Sequence, residues 1–417
     1  MNAGVTRSRD MTPEDPEGKG HLEHLDGRTV SGMEPVLRGA FVLTDGVRGH
    51  ENQSLGIASR LEDLGALVDV FKIPALSGFS RFKSLKVTSR RLVHKKAVQC
   101  MKWLESSGGK DLLEKIKGRL QRAGIDGKDV LFLSAGSSAA PYCLALACVT
   151  GAKSCTVMTP SVLGTKPFDF AVVPEHDQPG ASENVLATLG APNRIRPELL
   201  EREKAILERR FPPRRRKRWG VLLGGDDKNY HVSPEWAESL MKILLEEARI
   251  ADADIYVTTS RRTLPETERA LRQVAGGDPN VPMLLLASED DWNPVPGMLG
   301  LCERILCTED SVSMISEAAT AGRKPIVLAV MRKNNMASRV AKIVALFAEK
   351  EFFSEGHIFG VPRFERMIRS FEKRGLCRYL DEMTGLAEIL EKSESTPPAD
   401  FDEARRAAEW IAKRWSR

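Results

Sequence analysis

Ser313 and Glu317 lie four residues apart in the stretch TEDSVSMISE. On a helix they share one face, with the glutamate one turn deeper. Asp310 is positioned to cap a helix opened by Ser311, and the uncommitted N–H groups of such a first turn suit an anion. A carboxylate below that turn can accept two hydrogen bonds from a ribose diol while the turn above holds a diphosphate. Arg261 and Arg262, in YVTTSRRT, offer fixed bidentate donors able to neutralise a diphosphate leaving group without a metal. Three further turns have the same small, hydroxylic or charged character: TDGVRGHENQ with Gly46 and Gly49, AGSSAAP with Gly136 and Ser137, and GGDDKNYH with Gly224 and Gly225. Backbone N–H groups at helix N-termini can hold a phosphate. Any one of these stretches is an ordinary turn; five of them, each following a strand, point to a ligand.

The elements that must carry these turns can be read from hydrophobic patterning. AFVLT (40–44), VDVFKI (68–73), VLFLS (130–134), SCTVM (154–158) and FAVV (170–173) are short apolar runs separated by helical patterns. A helix is predicted from Asn52, with Leu55, Ala58, Leu61 and Leu64 on its apolar face and Gly65 as its stop. The highly charged stretch 193–218 reads as a helix and then a connector. After it the alternation restarts with WGVLLGG, DIYVTTS, VPMLLLA, RILCT and PIVLAV, with helices from Pro234, Pro265 and Ser311. Strand and helix in alternation predict an α/β protein with parallel sheets, whose ligands bind beyond the carboxyl ends of the strands. The expected organisation is a disordered tail (1–36), a first Rossmann-like unit (37–192), a charged linker (193–218), a second unit (219–395) and a C-terminal amphipathic helix (396–417). On that last helix Ala407, Trp410, Ile411 and Trp415 face one way, toward one of the two units.

Composition excludes several classes. The 417 residues hold 42% hydrophobic and 29% charged residues, with 62 basic against 57 acidic side chains, as in an ordinary globular protein. No run approaches the ~20 apolar residues that span a bilayer, and the N-terminal segment lacks the apolar core of a signal peptide. The seven cysteines form no CxxC pair, which suits a reducing, cytoplasmic setting. The adjacent acids of GDDK (225–228) lack the strand context of a metal site, so neither metal nor other cofactor is expected. Residues 81–96, RFKSLKVTSRRLVHKK, carry seven basic residues interspersed with apolar ones and no acid. That pattern predicts peripheral contact with an anionic membrane surface, in preference to nucleic acid.

DGVRGHENQSLGIASRL, SAGSSAAPYCLALA, LLGGDDKNYH, VTTSRRT and TEDSVSMISEAATAGRKPIVL resemble the mitochondrial fission factor family first described from elongated plant mitochondria. Its many bacterial members resemble glycosyltransferases. The likeness runs in order and spacing from Phe41 to Pro362. It implies a GT-B architecture, two Rossmann-like domains facing a cleft, which generally works without a bound metal. A more distant likeness is to the lipid-linked N-acetylglucosaminyltransferase of peptidoglycan synthesis, although AGSSAAP has fewer glycines than that enzyme's second loop. The resemblance implies a nucleotide-sugar donor and a lipid-linked or cell-envelope saccharide as acceptor. It places His50 as the base facing the donor's anomeric carbon, with Glu51 or Asp45 orienting the imidazole, since histidine titrates in the useful range. Two other functions share the fold: a non-catalytic membrane-recruitment adaptor, as the plant members are, and a nucleotide-sugar epimerase.

Overall fold

The computed structural model describes residues 36–75, 87–227, 229–333, 364–383, 385–391 and 400–416. Residues 1–35 of the expected N-terminal tail, and Arg81 to Lys86 of the basic segment, lie outside the described residues. Six strands, β1 (Gly39–Thr44), β2 (Leu67–Lys72), β3 (Val130–Ala135), β4 (Lys153–Val157), β5 (Phe170–Pro174) and β6 (Val185–Thr188), form a first sheet. Its order is β2-β1-β3-β4-β5-β6 and every pairing is parallel. The second sheet contains β7 (Lys217–Leu222), β9 (Ala253–Thr258), β10 (Met283–Leu285), β11 (Arg304–Thr308), β12 (Ile326–Leu328) and β14 (Arg378–Leu380). Its order is β10-β9-β7-β11-β12-β14, again parallel throughout. Strands β8 (Tyr230–His231) and β13 (Met331–Arg332) pair as a small antiparallel ribbon. The arrangement is α/β and GT-B-like.

Why these runs become strands is clear from their burial. Every residue of β1, β3 and β9 is buried, as expected for parallel strands covered on both faces. The first sheet is covered by α1 (Arg48–Asp63), α2 (Ala97–Ser107), α3 (Lys110–Ala123) and α4 (Gly136–Thr150). The second carries α5 (Pro197–Arg210), α6 (Pro234–Ala251), α7 (Pro265–Ala275), α8 (Val295–Leu301), α9 (Val312–Thr320), α10 (Phe364–Lys373) and α11 (Leu386–Glu391). Finally α12 (Glu403–Lys413) returns to the first sheet. There Ala407, Ala408, Ile411 and Trp415 join the core formed by Ala40, Val42 and Ile57.

Three details differ from the sequence reading. Helix α1 starts at Arg48, four residues before Asn52, so the Arg-Gly-His of the first loop forms its opening turn. Its buried face holds Ser54, Ile57, Ala58 and Leu61, whereas Leu64 is exposed. In the basic segment, Leu92 is fully buried and Lys95 pairs with Asp169 at 2.8 Å, so neither is available to a membrane. Arg90, Arg91 and Val93 do remain exposed. Among the described residues no helix is long and apolar enough to cross a bilayer.

The chain passes from the first sheet to the second through residues 189–196. Asn193 anchors this passage by donating to the Thr320 hydroxyl at 2.9 Å, and the Ser316 hydroxyl accepts from the Ala191 N–H at 3.1 Å; both partners lie on α9. On the other side the passage lies against α1. A Cβ on Gly56 would sit 2.5 Å from the Asn193 carbonyl oxygen. Gly56→Ala must therefore push α1 off the passage, and a loss of about 1–3 kcal/mol is expected for such overpacking. Urea denaturation checks this, and an unchanged midpoint contradicts the close packing.

Candidate functional site

A cavity of 730 Å3 opens between the two sheets. Its walls come from the first turn of α1 (Val47, Arg48, Gly49), the first turn of α9 (Ser311, Ser313, Met314) and the loops following β9 and β10. Both helices begin without a side-chain cap: their N-cap residues are Val47 and Ser311, and neither makes a capping bond. The first intrahelical bonds are Glu51 N–H to the Val47 carbonyl and Ile315 N–H to the Ser311 carbonyl. The N–H groups preceding them have no intrahelical partner, and two helix dipoles present their positive ends to one space. Arg48, Arg194, Arg261 and Arg262 add positive charge to its walls.

Glu317 lines the cavity one turn below Ser313. Its Oε1 accepts a hydrogen bond from the Asn52 amide, Nδ2 to Oε1 at 2.5 Å, across the cleft from α1. Burial pushes the carboxyl up to about 7, and the Asn52 bond pulls it back only in part.

The remaining expected site residues divide clearly. Gly46, Gly49, Glu51, Arg261, Arg262, Ser311, Ser313 and Glu317 share the cavity. His50 lies on the α1 turn beside it. Its Nδ1 is 3.1 Å from a carboxylate oxygen of Asp45, and its side chain keeps 30% of its surface exposed. Glu51 does not reach the imidazole; it accepts from the Thr44 hydroxyl at 2.8 Å instead. Gly136 lies against His50, outside the cavity walls: it has φ +79°, and a Cβ there would collide with the imidazole ring. The Ser137 hydroxyl accepts from the Ser161 N–H at 2.9 Å.

Asp310 does not cap α9. Its carboxylate turns into the loop after β7, accepting from the Gly225 N–H at 2.9 Å and pairing with Arg262 at 2.8 Å. Burial raises its pKa, against hydrogen bonds from Thr308, Gly225 and Arg262 that pull it down. Gly224 and Gly225 are accounted for by this packing, since a Cβ on the first would strike the Asp310 carboxylate and one on the second the Arg262 backbone. Arg262 also donates to the Gly225 carbonyl at 3.3 Å, so it brackets two loops. Arg261 makes an exposed pair with Asp291 at 3.0 Å, a residue that Arg48 also reaches from α1. The second half repeats the carboxylate–imidazole pair, Asp226 with His231 at 2.7 Å, away from the cavity walls.

Asn52, Arg194 and the loop after β10, with Trp292, were not foreseen. That loop follows a strand's carboxyl end, so the same census of turns could have included it. The two others are visible only once the halves are brought together.

The family described as mitochondrial fission ELM1 matches residues 48–415. The chain belongs to that family. No curated protein matches it significantly. Among solved structures, a UDP-N-acetylglucosamine 2-epimerase is 13% identical, covering 92% of this chain and 97% of its own, with a TM-score of 0.49. The UDP-GlcNAc 2-epimerase from Methanocaldococcus jannaschii is 12% identical, over 90% and 99% of the two chains, at 0.45. The glycosyltransferase SnogD from Streptomyces nogalater is 14% identical, over 91% and 99%, at 0.37. The chemistry of this family member rests on its own residues.

The raised carboxyl of Glu317 has a consequence for stability. Between its ordinary value of 4.5 and about 7, the folded protein holds a proton that the unfolded chain has released. Stability therefore falls as pH rises through this window. Glu317→Gln is expected to flatten that slope, leaving the variant more stable than wild type by about 3 kcal/mol at about pH 8. Below the window the two should coincide. Urea denaturation at both ends checks it, and an equal slope in the two proteins contradicts the assignment.

Proposed function

We propose that this protein binds a nucleotide-sugar donor in the cavity and transfers the sugar to an acceptor hydroxyl. One observation carries the reading: two uncapped helix N-termini, from opposite halves, open on a single cavity with Glu317 one turn below one of them. The volume suits a nucleotide sugar, since small-molecule sites typically occupy about 300–1,000 Å3. The diphosphate lies against the first turn of α9, where unpartnered N–H groups and the dipole favour an anion. Glu317 accepts from the ribose diol. Arg261, with Arg48 opposite, offsets the charge that develops on the departing diphosphate.

His50 acts from the other half. With Nδ1 turned to Asp45, Nε2 is left to receive a proton. As the acceptor oxygen bonds to the anomeric carbon and the bond to the diphosphate breaks, the acceptor's proton passes to that nitrogen. The acceptor class, a lipid-linked or cell-envelope saccharide, rests on the family resemblance. Contact of the exposed Arg90, Arg91 and Val93 surface with an anionic membrane would bring such an acceptor to the cleft.

Calorimetry against UDP-, GDP-, ADP- and CMP-sugars tests the donor site. One of them should bind, and Glu317→Ala should weaken it by about 1.5–3 kcal/mol, the range for hydrogen bonds to charged groups. Equal affinity in the variant removes the ribose assignment. His50→Ala should abolish transfer while leaving donor affinity within about threefold, because it acts on the transition state. A variant that transfers like wild type excludes the general base. A bound sugar that is isomerised without an acceptor favours the epimerase instead, and binding with no turnover favours the adaptor.

A further inference from the structure

We infer that Asn52 is a positioning residue through which the first half of the protein orients Glu317 for the ribose and favours its ionised form, a role that rests on the nucleotide-sugar reading above. The geometry is reciprocal. Asn52 lies one turn below the opening turn of α1 and Glu317 one turn below that of α9, and the 2.5 Å bond between them spans the cleft. An ionised carboxylate offers both oxygens as acceptors to the ribose diol, whereas a protonated one carries a donor on one of them. Packing around Glu317 works against this, and the neutral amide donates to the charged form without itself becoming a competing charge.

The charged groups sharing the cavity are Arg48 and Glu51 from α1, Arg194 from the passage between sheets, Arg261 and Arg262 after β9, and Asp290 and Asp291 after β10. Behind Glu317 the Cys307 thiol of β11 is itself pushed up by burial. Of all these neighbours, the Asn52 amide is the group whose contact lowers the Glu317 carboxyl, while burial raises it. Donor affinity is thereby tied to how closely α1 approaches α9.

The test measures affinity against pH for the tightest binder among UDP-glucose, GDP-mannose and ADP-glucose, whose diphosphate diesters do not titrate near neutrality. Wild-type affinity should fall by about tenfold from pH 8 to pH 6 as Glu317 takes up its proton. In Asn52→Ala the midpoint should move to higher pH, with much of the affinity regained in alkaline buffer, which a merely structural loss would not allow. Carbon-13 NMR of the glutamate carboxyls, with Glu317→Gln to assign the signal, should show the same upward move in the empty protein. A nucleotide sugar that binds Asn52→Ala with an unmoved midpoint overturns the role of Asn52 alone. Failure of these three and of the remaining UDP-, GDP-, ADP- and CMP-sugars to bind the wild type overturns the donor reading, and the ribose role with it.

Discussion

A buried guanidinium governs how the two sheets meet. Arg60, on α1, is 8% exposed; it donates to the Ile195 carbonyl at 2.7 Å and to the Asp402 carboxylate at 2.9 Å. Ile195 belongs to the outgoing passage between sheets, and Asp402 caps α12 on the return. One side chain therefore holds both crossings against α1. Losing one partner of such a buried pair typically costs about 3–5 kcal/mol, because the other is left charged and unpaired. Asn193 and Ser316 extend the same clamp to α9.

The site follows from what parallel sheets impose. With every strand running one way, all the following turns and helix N-termini collect along one edge. Two such edges meet in the cleft, and each supplies what the other lacks. The second half offers the α9 turn, Glu317 and Arg261. The first offers the α1 turn, Asn52 and the Asp45–His50 pair. Glycine matters most at Gly136, where the missing side chain lets the imidazole settle on the neighbouring turn. On the proposed reading, a donor held by one half and a base held by the other would make the separation of the halves a chemical variable.

Much of this was legible in the sequence, and what was not has physical causes. The apolar runs that became β1, β3, β9 and β11 are buried on both faces and could be read directly. The short β6 and β14 could not, since Arg378–Leu380 is only half-buried and carries no apolar run. The start of α1 was misplaced because Val47 gives no capping signal. Asp310 has the position of a cap in sequence; the space left by Gly224 and Gly225 draws its carboxylate into the neighbouring loop instead. The face shared by Ser313 and Glu317 was legible because helical spacing alone sets it. Asn52 was not, because its partner is 265 residues away.

The most direct test of the account is a crystal structure of the protein with a bound nucleotide sugar. The account predicts the diphosphate at the first turn of α9, the ribose hydroxyls on Glu317, and the anomeric carbon on the side of the cavity that faces His50. A nucleotide bound with Glu317 still held by Asn52 alone and the ribose elsewhere, or lodged outside the cleft, would contradict it.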